Sequence, residues 1–296
     1  MKFLIPIPDR DYYAWQMLVQ LSHFRALGYE SDVTYLIGYK GQVNPHMLKI
    51  INSKKFKAKF ILIEDKRHKS IYPPNMAIHI AAKFFKDNPE YGKEQFMYLD
   101  PDILFTKRLD FSVYDEYKWY GSDVTGYIGH KYIKSKGDQL LTEMCTIAGI
   151  PRTFVETTTD VVIGGQYIMK DVDHTYWDNV YVMGEALYKH MKDTAKQYNP
   201  KMPIQAWTAS MWAMLWEAWK RNIKTETSPE LKMFAWAHHP VANWTSRAIF
   251  HNAGVRNDTE NKHFKKTAFT LSPFKKNLKV SPESASSKYV EWIKKT

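Results

Sequence analysis

The chain has 296 residues, of which 44% are apolar and 15% aromatic, and its formal net charge is +11. This length and apolar content exclude a disordered chain and allow one large α/β domain or two small ones. No apolar run approaches the roughly 18 residues of a membrane span. The opening MKFLIPIP is too short for the apolar region of a signal peptide and predicts a buried strand. A single cysteine, Cys145, excludes an intramolecular disulfide, so we expect a cytoplasmic protein.

The basic excess lies mostly at the C-terminal end. Residues 262–296 contain nine lysines and two glutamates, a net charge of +7. Such a segment suits a polyanionic partner. The alternative is an ordinary solvated basic tail, and the charge alone leaves both open.

The first half of the chain alternates strand and helix patterns. Predicted strands are KFLIPIP, SDVTYLIGY, AKFILIED and QFMYLDPDILF, and predicted helices are DYYAWQMLVQLSHFRALG, with Gly28 at its C-terminal cap, HMLKIINSKKF and NMAIHIAAKFFKDN. This alternation predicts the α/β class, with a mostly parallel sheet and helices on both faces. In such sheets ligands bind beyond the carboxyl ends of the strands.

The second half is less regular. WYGSDVTGYIG predicts a strand and a turn, DVVIGGQYIMK a strand interrupted by Gly164 and Gly165, and RAIFHNAG a short strand. Predicted helices are GDQLLTEMCTIAG, DHTYWDNVYVMGEALYKHMKDT, with Asp173 as its N-cap, and the tryptophan-rich IQAWTASMWAMLWEAWKRN. Neither an internal repeat nor a low-complexity linker is present. We therefore predict one domain over residues 1–256 and a basic C-terminal extension over residues 257–296.

Two carboxylates follow the predicted strand FMYL. Asp100 and Asp102 are separated only by Pro101, and apolar residues resume at once with Ile103. Side chains at i and i+2 of an extended strand end can point the same way, and a divalent cation with a preference for oxygen ligands would remove their repulsion. Asp-Pro-Asp is also good turn chemistry, but the apolar residues on both sides disfavour a solvent-facing turn.

The order of motifs resembles a known family. YLDPDILF resembles the Asp-x-Asp motif of GT-A fold glycosyltransferases. The order of motifs, which is that of the peptidyl hydroxyproline arabinosyltransferase-like group, is DRDYYAWQMLVQLSHFRALGYESDVTYLIG, NMAIHIAAKFF, YLDPDILF, VVIGGQYIM, the tryptophan-rich helix and AIFHNAG. Within that fold the chain resembles the peptidyl hydroxyproline arabinosyltransferase-like group and the base J glucosyltransferase-like enzymes that modify DNA bases. The resemblance covers roughly residues 1–256 and leaves the basic segment uncovered. It implies a GT-A mixed sheet flanked by helices and a nucleotide-sugar donor.

The resemblance also implies roles for single residues. Asp100 and Asp102 match the metal-binding Asp-x-Asp motif and His251 matches a further ligand, a set that suits Mn²⁺ or Mg²⁺. The residues matched to the donor site are Pro6, Asp9, Arg10, Asn75, Gly164, Gly165 and Gln166. Four of these assignments have an ordinary alternative: a core histidine for His251, an exposed arginine for Arg10, a helix N-cap for Asn75 and a β-bulge for the paired glycines.

One position departs from the related arabinosyltransferases. They carry a glutamate in the helix after a tryptophan, and here AWTAS places Ser210 there. A serine cannot act as a carboxylate base or nucleophile. We therefore take Asp160, which directly precedes VVIGG, as the first candidate for a general base and Asp123 as the second. Either could instead have a capping or pairing role.

The acceptor is inferred from charge and compartment. A cytoplasmic enzyme with a lysine-rich segment would meet nucleic acid, where lysines contact phosphates. We therefore expect a metal-dependent transferase that moves a sugar, with a UDP-sugar as the favoured donor, to a hydroxymethylated pyrimidine in DNA, as in a bacteriophage with hypermodified DNA. The alternatives are a cytosolic transferase acting on a peptide or glycan and a non-enzymatic DNA-binding protein.

Overall fold

A computed structural model describes residues 1–67, 69–255 and 262–296. The chain divides into two compact units, which we describe separately. Unit 1 comprises Met1–Glu64, Tyr98–Val113 and Pro229–Thr296, and unit 2 comprises Asp65–Met97 and Tyr114–Ser228. The predicted domain boundary between residues 256 and 257 lies outside the described residues. Within the described part, none of the helices has the length and apolar character needed to cross a bilayer.

Unit 1 contains a parallel set of three strands in the order β3-β2-β1. These strands are β1 (Lys2–Pro8), β2 (Val33–Tyr39) and β3 (Lys59–Glu64). In the register, Ile5 lies opposite Tyr35. The apolar runs of β1 and β2 are almost entirely buried, as expected of parallel strands covered on both faces.

A second, three-stranded sheet completes the strands of unit 1. It has the order β5-β10-β9, formed by β5 (Ile103–Phe105), β9 (Ala235–Trp236) and β10 (Ile249–His251). Strand β10 runs antiparallel to β5, with His251 opposite Ile103, and parallel to β9, with His251 opposite Trp236. This pairing places the end of β10 beside the residues that follow Asp102.

The helices of unit 1 are α1 (Asp11–Ala26), α2 (Pro45–Asn52), α10 (Ala242–Ser246) and α11 (Ser286–Lys295). The C-terminal residues belong to the core of this unit. Phe264 packs edge-on against Trp15 of α1 with ring centroids 6.1 Å apart, and Tyr289 of α11 is fully buried. The indole of Trp15 also donates a hydrogen bond of 3.0 Å to the Phe269 carbonyl. The basic segment is therefore packed against α1 along its apolar side.

Within its described residues, unit 2 combines a short mixed set of strands with seven α-helices. Strand β6 (Lys118–Asp123) pairs antiparallel with β7 (Ile163–Met169) and parallel with β8 (Lys224–Glu226). The described helices are α3 (Asn75–Asp87), α4 (Thr125–Ile128), α5 (His130–Lys136), α6 (Asp138–Ala148), α7 (Arg152–Thr157), α8 (His174–Asp193) and α9 (Ala209–Lys220). Asp173 caps α8, as predicted, by accepting a hydrogen bond of 2.9 Å from the backbone of Tyr176.

The predicted mixed α/β class is confirmed, since parallel and antiparallel strands alternate with helices. The long predicted strand QFMYLDPDILF is in fact two short strands, β4 (Phe96–Tyr98) and β5, joined by the Asp-Pro-Asp turn. Because the turn interrupts the strand, both aspartates lie outside it and are available to a site. The sheet containing β9 and the helix α11 were not predicted.

Candidate functional site

The Asp-Pro-Asp turn is fixed by backbone hydrogen bonds within unit 1. The amide of Leu99 donates to the Leu4 carbonyl of β1 at 3.1 Å, and the amide of Ile103 donates to the Asp100 carbonyl at 3.3 Å. The amide of Asn252, just after β10, donates to the Asp102 carbonyl at 3.1 Å. The turn is thus connected to β1 on one side and to the end of β10 on the other.

The side chain of Gln20, fully buried on α1, forms hydrogen bonds to the backbone of the same turn. Its Nε2 donates to the carbonyls of Asp100 at 3.0 Å and Ile103 at 2.8 Å, which are the two ends of the turn. Its Oε1 accepts a hydrogen bond of 2.6 Å from the hydroxyl of Tyr35 on β2. All the polar atoms of this amide are therefore engaged in keeping the turn in place.

The turn and β10 bring together the three predicted metal ligands. The Nε2 of His251 lies 3.4 Å from Oδ1 of Asp102 and 3.7 Å from Oδ2 of Asp100. One ligand atom from each residue lies within 4.8 Å of the others. Asp102 is 3% exposed and Asp100 is 54% exposed, so the cluster is open on one side. Two carboxylate oxygens and an imidazole nitrogen suit Mn²⁺ or Mg²⁺, and these residues fit such an ion.

His251 is oriented by its aromatic neighbours. Its ring lies nearly parallel to that of Trp236 on β9, with an interplanar angle of 13° and centroids 5.7 Å apart. The ring of Phe234 packs against it at a tilt, with centroids 5.5 Å apart. The imidazole is therefore held at the edge of the site and does not point into a core remote from the aspartates.

A lysine from the C-terminal segment also enters the site. The Nζ of Lys266 forms an ion pair with Oδ2 of Asp102. Burial by itself would raise the pKa of Asp102, but the Lys266 ammonium and His251 hold this pKa well below its usual range. Burial would likewise lower the pKa of Lys266, and Asp102 raises it instead. Both groups are therefore charged, and Asp102 has one oxygen towards Lys266 and the other towards His251.

The other predicted donor residues of unit 1 lie at the end of β1. Pro6 is buried within the strand, and Arg10 is exposed at the start of α1. The carboxylate of Asp9 accepts a hydrogen bond of 2.6 Å from the backbone of Asn44, and burial raises the pKa of Asp9 despite this bond. The roles of these residues towards a nucleotide stay predictions.

Asn75, in unit 2, is fully buried at the start of α3. Its Nδ2 donates to the Tyr181 carbonyl of α8 at 2.8 Å, and its Oδ1 lies where a Cβ on Gly184 would approach it to 2.9 Å. These contacts join α3 to α8, which is a structural task. Its predicted place near the base and ribose of a donor stays a prediction.

The glycine strand β7 contains the bulge that the sequence allowed. The register with β6 shifts between Gly121 and Ser122, and Gly165 has the left-handed φ of +82°. A Cβ on Gly164 would lie 2.5 Å from Cε of Met211 and 2.8 Å from Cγ2 of Val124, so a larger residue there would require these side chains to move. Gln166 is fully buried, and its Nε2 donates to the Ser122 hydroxyl at 2.5 Å. Contact of this strand with a donor sugar stays a prediction.

The two candidate bases lie near the start of β7 in unit 2. Asp123 ends β6 opposite Ile163, is exposed, and accepts a hydrogen bond of 3.0 Å from the backbone of Thr125. Asp160 precedes β7, is 11% exposed, and lies 3.8 Å from the ammonium of Lys224. Ser210, the position that the sequence resemblance matches to a glutamate, lies 3.1 Å from the Tyr72 hydroxyl.

Comparison with known proteins identifies the fold. No family model and no curated protein matches the sequence. Over its whole length the chain resembles the apo structure of the bifunctional glycosyltransferase WbbM, with a TM-score of 0.51 and 10% identity, and it covers 50% of that chain. The fold is that of a GT-A glycosyltransferase. The chain spans about half the length of WbbM, so the likeness concerns the fold and not the whole activity of that protein.

Two further solved structures are similar at lower scores. The galactosyltransferase LgtC in complex with donor and acceptor sugar analogues has a TM-score of 0.45 and 13% identity, with 99% of this chain and 95% of that chain covered. An active-site mutant of LgtC has a TM-score of 0.46 and 13% identity at the same coverage. The likeness to WbbM, at a TM-score of 0.51, confirms the predicted GT-A fold, whereas the narrower resemblance to the arabinosyltransferase-like and base J-like groups stays a prediction.

Two residues of the site, Gln20 and Lys266, were not predicted from the sequence. Gln20 reads as one more polar position among the apolar residues of α1, although a glutamine within an apolar helix is a weak signal of a buried hydrogen bond. Lys266 is one of nine lysines in its segment, and its partner Asp102 is 164 residues away. Local sequence holds no sign of that pairing.

We expect Gln20→Met to loosen the turn. The substitution leaves the buried Ile103 carbonyl, the partly buried Asp100 carbonyl and the Tyr35 hydroxyl without their partner, so the free energy of unfolding should fall by roughly 1–3 kcal/mol. Mn²⁺ binding, followed by the electron paramagnetic resonance signal of the free ion, should weaken about 10- to 100-fold, as is typical when a group that orients a ligand is removed.

Gln16→Met is the matched control. Gln16 is also buried on α1, but its Nε2 donates to the Tyr12 carbonyl of the same helix. Mn²⁺ affinity should be unchanged in this variant. Equal loss of Mn²⁺ affinity in both variants would show that Gln20 has no special part in holding the aspartates.

Proposed function

We propose that this protein is a divalent metal-dependent glycosyltransferase that moves a sugar from a nucleotide sugar, with UDP as the favoured nucleotide, to a hydroxymethylated pyrimidine in DNA. The observation that carries the proposal is the convergence of Asp100, Asp102 and His251 at the strand ends of a glycosyltransferase fold. Ligands of α/β sheets bind at such strand ends.

The residues of the cluster would divide the work on the donor as follows. Asp100, Asp102 and His251 would hold Mn²⁺ or Mg²⁺, and the bound ion would supply Lewis-acid assistance to departure of the nucleoside diphosphate. Gln20 keeps the backbone of both aspartates in place through the two carbonyls that it binds. Trp236 holds the ring plane of His251. Asp9 and Arg10 would contact the nucleotide from the end of β1.

The general base is proposed to be Asp160, with Asp123 as the alternative. Both carboxylates flank the start of β7, whose glycines allow close approach of the backbone to a ligand. In an inverting transfer, one of them would take the proton of the acceptor hydroxyl as the bond to the anomeric carbon forms.

The DNA acceptor is proposed from the charges of residues 262–296. Six of the nine lysines there are exposed: Lys262, Lys275, Lys276, Lys279, Lys294 and Lys295. A cavity of about 310 Å³ in the same segment is lined by residues that include Phe264, Lys265, Phe269 and Lys279 and no acid. Cationic and aromatic residues together suit a nucleotide whose base has been flipped out of the duplex, because the cations can contact its phosphate and the aromatic residues its base.

Transfer itself is tested with a panel of nucleotide sugars against hydroxymethylated DNA, unmodified DNA, peptides and oligosaccharides, read by the mass of the products. We expect a hexose- or pentose-sized mass increase on hydroxymethylated DNA only, dependent on Mn²⁺ or Mg²⁺. Asp102→Asn should reduce the rate at least about 10²-fold, because the cation contributes several kcal/mol to transition-state stabilisation. Circular dichroism would check that this variant is folded.

The other outcomes separate the alternatives. A product on peptide or glycan alone would move the acceptor to that class. DNA binding without any transfer would favour the non-enzymatic alternative. Full activity in the presence of a chelator would remove the metal from the proposal.

Asp160→Asn keeps the shape of the side chain and removes its basicity. In the same assay kcat should fall by roughly 10²–10⁴, the contribution of general acid–base catalysis, with little change in donor binding. The comparison variant is Asp123→Asn, which should retain most of the activity. A near-normal kcat in Asp160→Asn, or a product with retained anomeric configuration, would exclude Asp160 as the base.

The DNA contact is tested with a triple variant in which Lys275, Lys276 and Lys279 are replaced by glutamine. DNA affinity should fall, and the slope of log affinity against log salt should become shallower by up to about 0.9 for each lost phosphate contact. Replacing Lys54, Lys55 and Lys57, which are also exposed in unit 1, removes the same charge elsewhere. Equal effects of the two triples would mean that net charge, not this segment, attracts the DNA.

A further inference from the structure

Lys266 reaches Asp102 from a well-anchored turn. The residues around it are fixed on both sides, because the Phe264 amide donates to the Ser286 hydroxyl at 3.0 Å and the Phe269 carbonyl accepts the indole hydrogen of Trp15 at 3.0 Å. The rings of Phe264 and Phe269 stack on each other with centroids 5.3 Å apart. The ammonium is thus presented to the site by packed structure.

The carboxylate that Lys266 binds is also the most buried of the candidate metal ligands. The side chain of Asp102 is 3% exposed, whereas those of the other two candidate ligands, His251 and Asp100, are 12% and 54% exposed. The side chain of Lys266 is 24% exposed. Water therefore does little to screen the charge of Asp102 from its neighbours. Any cation near Asp102 must share this carboxylate with the ammonium of Lys266.

We propose that Lys266 competes with the divalent cation for Asp102, and so sets the metal affinity of the site from within the C-terminal segment. This inference rests on the metal role given to Asp100, Asp102 and His251 in the proposed function. The two aspartates together carry two negative charges, of which the lysine already balances one. A divalent ion entering the cluster is repelled by the ammonium and attracted by only one uncompensated charge.

The competition has two consequences. In the absence of metal, Lys266 relieves the repulsion between the two carboxylates and keeps the buried Asp102 paired. When metal binds, the hold of Asp102 on the ammonium weakens, and the lysine becomes more accessible. Lys266 is a positioning residue in this account, because it acts on the reaction through Asp102.

The first test measures Mn²⁺ affinity by electron paramagnetic resonance, without any substrate. Lys266→Met removes the charge and keeps much of the length, and it should bind Mn²⁺ about 10- to 100-fold more tightly than the unaltered protein. Lys266→Arg keeps the charge and should remain near the original affinity. Lys276→Met removes the same charge from an exposed position on the same segment and should leave the affinity unchanged.

Unchanged or weaker Mn²⁺ binding in Lys266→Met would overturn the competition. If the unaltered protein does not bind Mn²⁺ at all, the metal role itself fails, which is a distinct result. A tighter affinity in Lys276→Met equal to that in Lys266→Met would assign the effect to net charge and would also overturn the proposal.

The second test uses the unaltered protein, and it decides the matter even where Lys266→Met does not fold. Amine acylation of each lysine is followed by mass spectrometry with and without saturating Mn²⁺. Lys266 should be acylated severalfold faster when Mn²⁺ is bound, because its pairing with Asp102 is weakened, whereas the rate at Lys276 should not change. Equal acylation of Lys266 under both conditions, at Mn²⁺ concentrations that saturate the site, would contradict the proposal.

Discussion

The constraint on which the site depends is the repulsion between two carboxylates that only Pro101 separates in sequence. Asp100 and Asp102 leave the same turn, and one of them is buried, where like charges interact most strongly. Three residues of unit 1 offset that repulsion. The amide of Gln20 binds the backbone of the turn, the imidazole of His251 lies beside Asp102, and Lys266 forms an ion pair with Asp102. A turn that brings two carboxylates together in this way is more costly than an ordinary surface turn, which supports the metal-binding role that we propose.

The strand pattern accounts for how these groups meet. His251 is at the end of β10, and β10 pairs with β5, the strand that begins right after Asp102. The antiparallel register sets His251 opposite Ile103, one residue from that carboxylate. The distance between the imidazole and the aspartates therefore follows from backbone hydrogen bonds, with Trp236 on β9 supporting the ring from the other side.

Much of the fold could be predicted because its signals are local. The apolar run of β1, the helical periodicity of α1 and the capping residue Asp173 each lie within a few residues of the element that they define. The three metal-ligand candidates were found through motif order and resemblance. Gln20 and Lys266 were not found, because hydrogen bonds and ion pairs over 80 to 164 residues of sequence leave no periodic trace. Strands β5 and β10 lie within predicted strands, but their pairing with each other joins residues far apart in sequence and was not predicted. Strand β9 was missed because two residues are too few for a pattern.

The C-terminal segment shows that the net charge of a segment does not reveal the role of each of its lysines. Its net charge of +7 pointed to a polyanion, and the exposed lysines keep that proposal open. Yet the same residues supply Phe264 and Tyr289 to the core beside α1, and Lys266 is paired with Asp102. A count of charges does not distinguish a lysine that meets solvent from one that completes a site.

The central claim, that Asp100, Asp102 and His251 bind one divalent cation, is tested most directly by pulsed electron paramagnetic resonance of the Mn²⁺-loaded protein. Electron spin echo envelope modulation detects nitrogen bound to Mn²⁺. The account predicts coupling to a single imidazole nitrogen, which disappears in His251→Gln and persists in His238→Gln, a variant of a neighbouring histidine that is not among the candidate ligands. Tight Mn²⁺ binding with no nitrogen coupling, or coupling that survives in His251→Gln, would contradict it.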